Sequence, residues 1–423
     1  SVGSRNESDS PGASTEAWPG HGRRSMKQVA EKSTLDHAES RVSEWWNDLG
    51  SRGAGGTAAV ADQYTISLTR LHSECRVRYG SCPDVPDHAV NDACAMIRTG
   101  TRLAASLLLL PVVAAIGSAS TGVAVASPGS TSAVVSEERI GERLVDLTID
   151  SAALGAPATV RLLTPDGWDE RRAGDRWPVL YLLHGMFGTH EDWTTYSDVE
   201  TLPMLRNVLV VMPDGGSPGG YYTNWWNGGR YGAPAWETFH LDEVRTTLER
   251  DYGAGTRRAV AGSSMGGYGA LVYAAHRPGM FRAVASYSGP VHLLHPDSVD
   301  SWRTAFQEAP EYLGLWGDPL AQRANWQRHD PYHLAGRLRH TPIFLTCGDG
   351  ELGPLDGPNT TPFDQQTEAF DRVLNKSLAA EMRKREVPVT THFYQGTHQP
   401  PYWERELHHS LPILLAALDS GRH

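Results

Sequence analysis

Cysteine is scarce in this sequence, and its scarcity excludes both a disulfide framework and a cysteine-ligated zinc site. Only four cysteines stand in 423 residues, and three of them, Cys75, Cys82 and Cys94, lie in the first hundred positions. A disulfide framework or a cysteine-ligated zinc site needs several cysteines in one folded unit. The sequence also has no metal-ligand constellation or phosphate-binding glycine loop. We therefore expect no metal and no cofactor.

Basic charge is scarce as well. The chain has 38 Lys and Arg residues against 49 Asp and Glu residues, which gives a formal net charge of −11. No stripe of basic residues indicates a nucleic-acid surface, so we expect no nucleic-acid partner. The acidic balance favours solubility and carries little information about function. The composition leaves the oligomeric state open.

One long apolar stretch breaks an otherwise mixed sequence. Arg98 and Arg102 precede an apolar core at 103–116, and the small residues Ala-Val-Ala end the stretch at residue 126. This order is typical of a secretory signal peptide, which we place at 96–126. The apolar residues could also span a bilayer as an anchor, but the small-residue ending favours cleavage. We expect a secreted or envelope-associated protein with no stable membrane span after processing.

The signal pattern divides the rest of the chain. Residues 1–95 are polar and without sustained periodicity, so we interpret them as a disordered leader or upstream non-native sequence, with the true start at Met96. Small residues at 127–136 predict a linker. The folded domain is expected at 137–423.

Short apolar runs alternate with helical stretches throughout this domain. Alternating patterns predict an opening antiparallel pair of strands, and unbroken apolar runs predict strands buried on both faces. The predicted strands are 143–150, 158–165, 177–185, 207–216, 257–264, 281–289, 341–350 and 388–398. Helical spacing is found at 236–252, 267–276 and 402–418. The alternation predicts an α/β fold with a mostly parallel central sheet and helices on both faces.

The run VAGSSMGGYGAL at 260–271 contains a G-x-S-x-G pattern with Ser264 at its centre. This pattern places a nucleophile on a strained turn between a strand and a helix, where flanking glycines prevent clashes. The same pattern occurs at 215–219 around Ser217. There, Pro218 removes a backbone donor and no helix follows. We therefore interpret Ser264 as the nucleophile and Ser217 as a loop serine.

A serine nucleophile needs a base, and the base needs an acid to orient it. In this architecture the chain order is serine, acid, histidine. His398 ends the run 388–398 and stands in the segment YQGTHQPPYW, which we interpret as the loop after the last strand, the position expected of the base. His392 falls inside that strand, and His408 and His409 fall inside the closing helix, where packing or solvation explains them.

Three carboxylates compete for the role of the acid. Asp349 and Glu351 stand at the end of the fifth central run, 341–350, a usual position for this group. Glu368 stands at the start of a predicted helix, where a carboxylate is also stabilised by the helix dipole alone. The residues themselves do not choose among the three.

An oxyanion hole requires two N–H groups directed at the reacting oxygen. The helix after the nucleophile directs its N-terminus at the site, so the amide of Met265 is one candidate. In the loop 182–188, Gly185 permits a turn and Met186 offers the second amide. His184 is a candidate substrate contact or support for this loop, and a loop histidine without a catalytic role is equally consistent.

These motifs together resemble a known family. From about residue 179 to residue 418 the sequence is similar to the antigen 85 mycolyltransferases and the related esterase D-like carboxylesterases. The similarity is carried by VLYLLHGM, VVMPDGG followed by YTNWW, GSSMGGYGAL, LTCGDGELG and GTHQPPYWERELH. The resemblance implies an α/β-hydrolase fold.

The resemblance also implies roles for individual residues. It assigns Ser264 as the nucleophile and His398 as the base, with the two oxyanion amides already named. The antigen 85 acid is a glutamate in a helix after the fifth strand, which matches Glu368 and leaves Asp349 as the second choice.

The sequence departs from the mycolyltransferases at two positions. His184 stands where that family has an aspartate of the sugar-acceptor site, and a His-Gly pair looks more like the esterase branch. Residues 399–401, Gln-Pro-Pro, occupy the place of the family's sugar-site tryptophan. Both departures argue against transfer of mycolyl groups to trehalose.

We expect an exported serine carboxylesterase that acts on small-molecule, lipid or carbohydrate esters through an acyl-enzyme. The alternative within the same chemistry is an acyltransferase that moves the acyl chain to a sugar or another alcohol. A non-catalytic binding protein on a hydrolase scaffold is the contrasting class. In the loop 223–239, Trp225 and Trp226 either line a substrate groove or pack within the loop.

Overall fold

The computed structural model describes residues 133–419, and the structural statements below concern these residues. The predicted leader at 1–95, the signal peptide at 96–126 and most of the linker lie outside them. Within the described part of the chain, no helix is long and apolar enough to cross a membrane.

Nine strands form one sheet in this part of the chain. They are β1 (Ala133–Arg139), β2 (Leu144–Ser151), β3 (Ala156–Leu163), β4 (Trp177–Leu183), β5 (Leu209–Pro213), β6 (Ala254–Ser263), β7 (Val284–Tyr287), β8 (Ile343–Cys347) and β9 (Val389–Phe393). The order across the sheet is β1-β2-β3-β5-β4-β6-β7-β8-β9. The pairs β1-β2, β2-β3 and β3-β5 are antiparallel. The other five pairs, from β5-β4 to β8-β9, are parallel. This topology confirms the predicted mostly parallel α/β sheet.

Helices connect and cover the strands. They are α1 (Asp192–Tyr196), α2 (Trp236–Thr238), α3 (Arg245–Asp251), α4 (Met265–His276), α5 (Pro296–Glu308), α6 (Leu313–Trp316), α7 (Arg323–His329), α8 (Pro331–Leu334), α9 (Pro362–Lys384) and α10 (Pro400–Asp419). A π-helical stretch, Phe239–Val244, joins α2 to α3. The three pieces together fill the helix predicted at 236–252.

The sheet separates two apolar layers. Because side chains alternate along a strand, Tyr181 and Leu183 of β4 enter the layer beneath α4 and α9. Leu180 and Leu182 enter the opposite layer, where α10 contributes leucines such as Leu411. Each fully buried leucine stabilises the fold by about 2 kcal/mol relative to an exposed one. The central strands therefore read as unbroken apolar runs in the sequence.

The first strand corrects the predicted domain boundary. β1 begins at Ala133, and its residues pair with β2 from Ala133 opposite Asp150 to Arg139 opposite Val145. The last four residues of the predicted linker at 127–136 thus belong to the sheet. Nearly all side chains of β1 are exposed, so this edge strand has no apolar alternation by which the sequence could reveal it.

The parallel strands end at one edge of the sheet, and this edge collects the polar residues of interest. His184 follows β4, Ser264 follows β6, Ser288 follows β7, Gly348 follows β8 and His398 lies in the loop after β9. Ligands of open α/β sheets bind at this edge. The fold therefore assembles the candidate site from separate parts of the chain.

Candidate active site

Ser264 occupies a strained turn between β6 and α4. Its φ of 53° and ψ of −122° lie outside the regions that non-glycine residues prefer. A Cβ at Gly262 would collide with the Gly266 backbone, and one at Gly266 would collide with the Leu183 carbonyl. The Ser264 N–H donates to the Tyr287 carbonyl at 2.7 Å. Close packing of the strand and helix therefore holds the serine in this conformation, as strained residues require.

A line of hydrogen bonds connects Ser264 to a buried carboxylate. Ser264 Oγ lies 2.9 Å from His398 Nε2, and His398 Nδ1 lies 2.7 Å from Glu368 Oε2. The Glu368 side chain is fully buried, and that of His398 is 10% exposed. With its proton on Nδ1, His398 donates to the carboxylate and accepts from the serine hydroxyl. This is the arrangement in which imidazole activates a serine.

The start of α9 differs from the prediction that put Glu368 at the beginning of this helix. The helix begins at Pro362, more than one turn earlier, because Thr361 and Asp364 form a reciprocal capping box there. Asp364 therefore supplies the first-turn carboxylate that interacts with the helix dipole. Glu368 is one turn further on and points to His398 instead.

The second oxygen of Glu368 is satisfied by the ends of two strands. Ser288 Oγ donates to Oε1 at 2.6 Å, and the Gly348 N–H donates to it at 2.5 Å. The Cys347 thiol lies 3.4 Å from the same oxygen. Hydrogen bonds of this kind stabilise a buried carboxylate in its charged form. The residues after β7 and β8 thus hold Glu368 ready to pair with His398.

The other two candidate acids lie elsewhere. Asp349 Oδ1 accepts the N–H groups of Glu351 at 3.1 Å and Gly396 at 3.2 Å. Glu351 is exposed. Neither carboxylate hydrogen-bonds to His398, so the fold brings Glu368 to the imidazole and leaves Asp349 to shape the neighbouring loop.

The loop that carries His398 is anchored by a carboxylate that the sequence analysis missed. Asp356 accepts hydrogen bonds from the Thr397 hydroxyl and, at 2.7 Å, from the Tyr402 hydroxyl. The ring of Trp403 packs edge-on against His398 with centroids 5.1 Å apart. These contacts fix the imidazole from both sides of its loop.

Two carboxyl groups close to His398 set its protonation. Burial lowers the pKa of His398, but the hydrogen bond and charge of Glu368 outweigh this and raise the pKa above its ordinary value. Asp371, one turn along α9, has Oδ2 3.9 Å from His398 Nδ1. Burial raises the pKa of Asp371 to about 8, although His398 lowers it. Asp371 is therefore protonated at neutral pH.

The backbone N–H groups of Met265 and Met186 belong to the two segments that adjoin Ser264. Met265 is the first residue of α4, so its N–H has no partner within the helix. Within residues 133–419, neither its N–H nor that of Met186 donates to another protein group. Gly185 brings the second loop close, since a Cβ built on it would lie 4.0 Å from Ser264 Oγ. Both amides are thus free to bind a developing oxyanion.

His184 supports the loop of Met186, and of the roles that the sequence left open the structure favours this one over a contact with substrate. Its ring is 1% exposed. Nδ1 donates to the Gly185 carbonyl at 2.7 Å, and the Gly215 N–H donates to Nε2 at 2.7 Å. The hydroxyl of Tyr222 donates to the His184 carbonyl at 3.0 Å. Because both ring nitrogens are used, the side chain has no group left for a ligand.

The loop around Ser217 supports the same segment. Ser217 itself is exposed, and the Pro218 carbonyl accepts the Phe187 N–H at 2.7 Å. Phe187 has a φ of 64°, which this hydrogen bond helps to hold. The second G-x-S-x-G sequence therefore braces the Met186 loop.

The side chains of Trp225 and Trp226 are half-buried. The Trp225 indole donates to the Gly220 carbonyl at 3.1 Å, and its ring lies 6.3 Å from that of Tyr312. The Trp226 N–H donates to the Leu315 carbonyl. These contacts pack the two residues against α6 and against Tyr312, the residue before it. A role of Trp225 and Trp226 in substrate binding stays a prediction.

The family model described as Esterase matches residues 151–414, a range that contains Ser264, Glu368 and His398. The chain belongs to the Esterase family. The hydrogen bonds between Ser264, His398 and Glu368 thus occur in a member of a family named for ester chemistry.

Individual relatives agree with this assignment. Esterase Rv1288 of Mycobacterium tuberculosis (strain ATCC 25618 / H37Rv) is 32% identical over 285 residues, which cover 63% of this chain and 61% of that protein. Diacylglycerol acyltransferase/mycolyltransferase Ag85A of Mycobacterium gordonae is 28% identical over 313 residues, 69% of this chain and 86% of that protein. The chain thus spans less than two thirds of the length of the first relative. The predicted resemblance to the antigen 85 family is confirmed.

The structure of Mycobacterium tuberculosis MPT51 (FbpC1) superimposes with a TM-score of 0.51 and 23% identity, and covers 64% of this chain and 97% of that one. At this level of identity the comparison speaks for the fold alone. It confirms the α/β-hydrolase fold of this Esterase-family chain.

The buried Asp371 carboxyl makes stability depend on pH. The folded protein holds this proton up to pH about 8, whereas an unfolded aspartate releases it near pH 3.9. The contribution of Asp371 to the free energy of unfolding is therefore largest at acidic pH and is lost as the pH rises towards 8. Relative to D371N, the wild-type free energy of unfolding should fall by up to about 1.4 kcal/mol per pH unit between pH 5 and 8. Urea unfolding of both proteins across this range measures the difference, and a constant difference would contradict the burial argument.

Proposed function

We propose that this chain is a serine carboxylesterase that uses Ser264, His398 and Glu368. His398 Nε2 removes the hydroxyl proton as Ser264 Oγ attacks the ester carbonyl, and Glu368 stabilises the imidazolium. The amides of Met186 and Met265 bind the oxyanion. His398 then returns the proton to the departing alcohol, which leaves an acyl-enzyme. Water, activated by the same imidazole, releases the acid and restores the serine.

The observation that carries this proposal is the unbroken line from Glu368 to Ser264. Its two hydrogen bonds of 2.7 and 2.9 Å lie within the range required for proton transfer. The line ends at a hydroxyl that the Met265 and Met186 segments adjoin, and the unpaired N–H groups of these two residues support a role as oxyanion donors. A base and candidate oxyanion donors thus show convergence on this turn. A binding protein would have no need for this convergence.

Hydrolysis is favoured over transfer by what surrounds the serine. His184 presents no polar group to a sugar acceptor, since its two nitrogens bind backbone groups. The similarity to the mycolyltransferase Ag85A supports acyl transfer to an alcohol as a second candidate. Product analysis with a sugar in the assay distinguishes the two, because a transferase makes the acylated sugar as its main product.

The rim of the site supports an apolar acyl group. Phe187, next to Met186, is 44% exposed, and Leu352 is 56% exposed. The Leu352 carbonyl accepts from Gln395, close to the His398 loop. Exposed apolar side chains on the Met186 loop and next to the His398 loop support a lipid-like or aromatic ester as substrate. We further propose that the protein is exported, on the signal pattern at 96–126.

Replacement of the nucleophile tests the chemistry. S264A should reduce kcat on p-nitrophenyl butyrate by a factor of up to about a million, because the triad acts as one unit. S217A is the matched control, since it removes the other serine in a G-x-S-x-G sequence and should keep wild-type turnover. Equal turnover by S264A and wild type would leave the non-catalytic binding protein as the better description.

Replacement of the acid tests its identity and the sign of the electrostatics. Since Glu368 raises the pKa of His398, E368Q should move the acidic limb of kcat/KM to lower pH, in addition to a loss of up to about ten-thousandfold in kcat. D349N should leave the limb in place. A profile that moves in D349N and not in E368Q would transfer the role of acid to Asp349.

A further inference from the structure

Three metal-ligating side chains meet between the edge strand β9 and α10. His392 lies on β9, and Glu406 and His409 lie one turn apart on α10. His392 Nδ1 is 2.8 Å from Glu406 Oε2, and His409 Nδ1 is 3.5 Å from Glu406 Oε1. One ligand atom from each residue lies within 4.8 Å of the other two. The sequence alone does not show this group, because its side chains come from two elements that only the fold brings together.

The burial of the three side chains suits an ion that arrives from solvent. Glu406 is fully buried, whereas His392 and His409 are 39% and 49% exposed. Two imidazoles at the rim and one carboxylate at the floor form a His₂Glu set, which binds zinc in many proteins. With Zn–N and Zn–O bonds near 2.1 Å, tetrahedral ligands lie about 3.4 Å apart. The distances from His392 Nδ1 and His409 Nδ1 to the Glu406 carboxylate, 2.8 and 3.5 Å, lie on either side of this value.

A second group, Asp146, His190 and Glu191, has the right atoms but lacks available charge. Arg161 donates to both Asp146 and Glu191, at 2.8 and 3.0 Å. The guanidinium already occupies the position that a cation would take. This group is therefore a salt-bridge network.

A third group, Asp198, Glu404 and His408, lies on and beside α10 close to the first. It contains one imidazole, and Glu404 accepts the Asp198 N–H at 2.9 Å. A single imidazole and two partly buried carboxylates give weak selectivity for transition metals. This group serves as an internal control because it shares the helix but lacks the His₂Glu set.

Within residues 133–419, Arg405 is the one Lys or Arg side chain that pairs with the Glu406 carboxylate, and it affects which ion can bind. Its Nε donates to Oε1 at 2.8 Å, and its guanidinium lies 4.2 Å from the centre of the Tyr394 ring. This bond orients the carboxylate, as hydrogen bonds to metal-bound carboxylates do elsewhere. Its positive charge opposes any cation, so binding depends on the imidazoles. Such a site favours Zn²⁺ over Mg²⁺ or Ca²⁺.

We propose that His392, Glu406 and His409 bind one Zn²⁺ ion. Each neutral imidazole then carries its proton on Nε2, so coordination at Nδ1 replaces the hydrogen bond between His392 and Glu406. Water fills the fourth position. The ion joins β9 to α10, which flank the loop of His398, and thus clamps the segment that carries this residue. The site is separate from the ester chemistry and does not rest on it.

Zinc titration of the untagged full chain tests this proposal. Calorimetry and thermal unfolding at pH 7.5 should show one Zn²⁺ bound per chain and a rise in Tm, with no response to Mg²⁺. H409Q and H392Q should each weaken binding by at least about tenfold, a cost that even outer contacts of metal sites reach. H408Q is the matched control and should bind as wild type does. Co²⁺ in place of Zn²⁺ should give the visible absorption of a tetrahedral nitrogen–oxygen site.

The variants remain informative because His409 is half-exposed, so H409Q is expected to keep its circular dichroism spectrum. Loss of binding in H409Q with that spectrum unchanged supports the site. Absence of saturable zinc binding in wild type overturns the proposal. Equal binding by wild type, H392Q and H409Q, or loss in H408Q alone, overturns it as well.

Discussion

The hydrogen bond between the buried carboxylate of Glu368 and His398 is the interaction on which the site depends. A fully buried carboxylate costs several kcal/mol unless hydrogen bonds and opposite charge compensate it. Ser288 and Gly348 provide the hydrogen bonds, and the imidazole provides the charge when it is protonated. The pairing requires α9 to lie across the ends of β7 and β8. The position of one carboxylate therefore links the sheet, the helix and the loop after β9.

The parallel sheet supplies the second constraint. Its strands end at one edge, so residues far apart in the chain reach the same place. Each loop at this edge has its own support. Asp356 holds the loop of His398, and His184 and Pro218 hold the loop of Met186. The reacting groups are thus fixed by buried hydrogen bonds and not by the loops' own preferences, as a preorganised site requires.

The sequence predicted those features that depend on local pattern. Apolar runs locate the buried strands because both their faces are covered, and the glycines around Ser264 locate the turn because only they permit it. His398 followed from its position after the last strand. These signals depend on short segments of the chain. The structure has a strand that overlaps each predicted run, usually with shorter bounds, and it has Ser264 between β6 and α4.

Features that depend on contacts between separate helices and strands were harder to predict from the sequence. The choice among Asp349, Glu351 and Glu368 depends on where α9 crosses the sheet, which no local pattern encodes. The exposed strand β1 shows no apolar period. His184 resembles a ligand-binding residue in sequence, but its hydrogen bonds to Gly185 and Gly215 use both nitrogens.

Identification of the nucleophile through the residue that a fluorophosphonate phosphonylates, with loss of fluoride, tests the account most directly. The native protein is incubated with a fluorophosphonate ester, digested, and the modified peptide is sequenced by mass spectrometry. Activation of one hydroxyl by His398 predicts a single adduct, on Ser264, that forms faster as pH rises through the pKa of the imidazole. An adduct on Ser263 or Ser217, or no adduct on an intact folded protein, would contradict it.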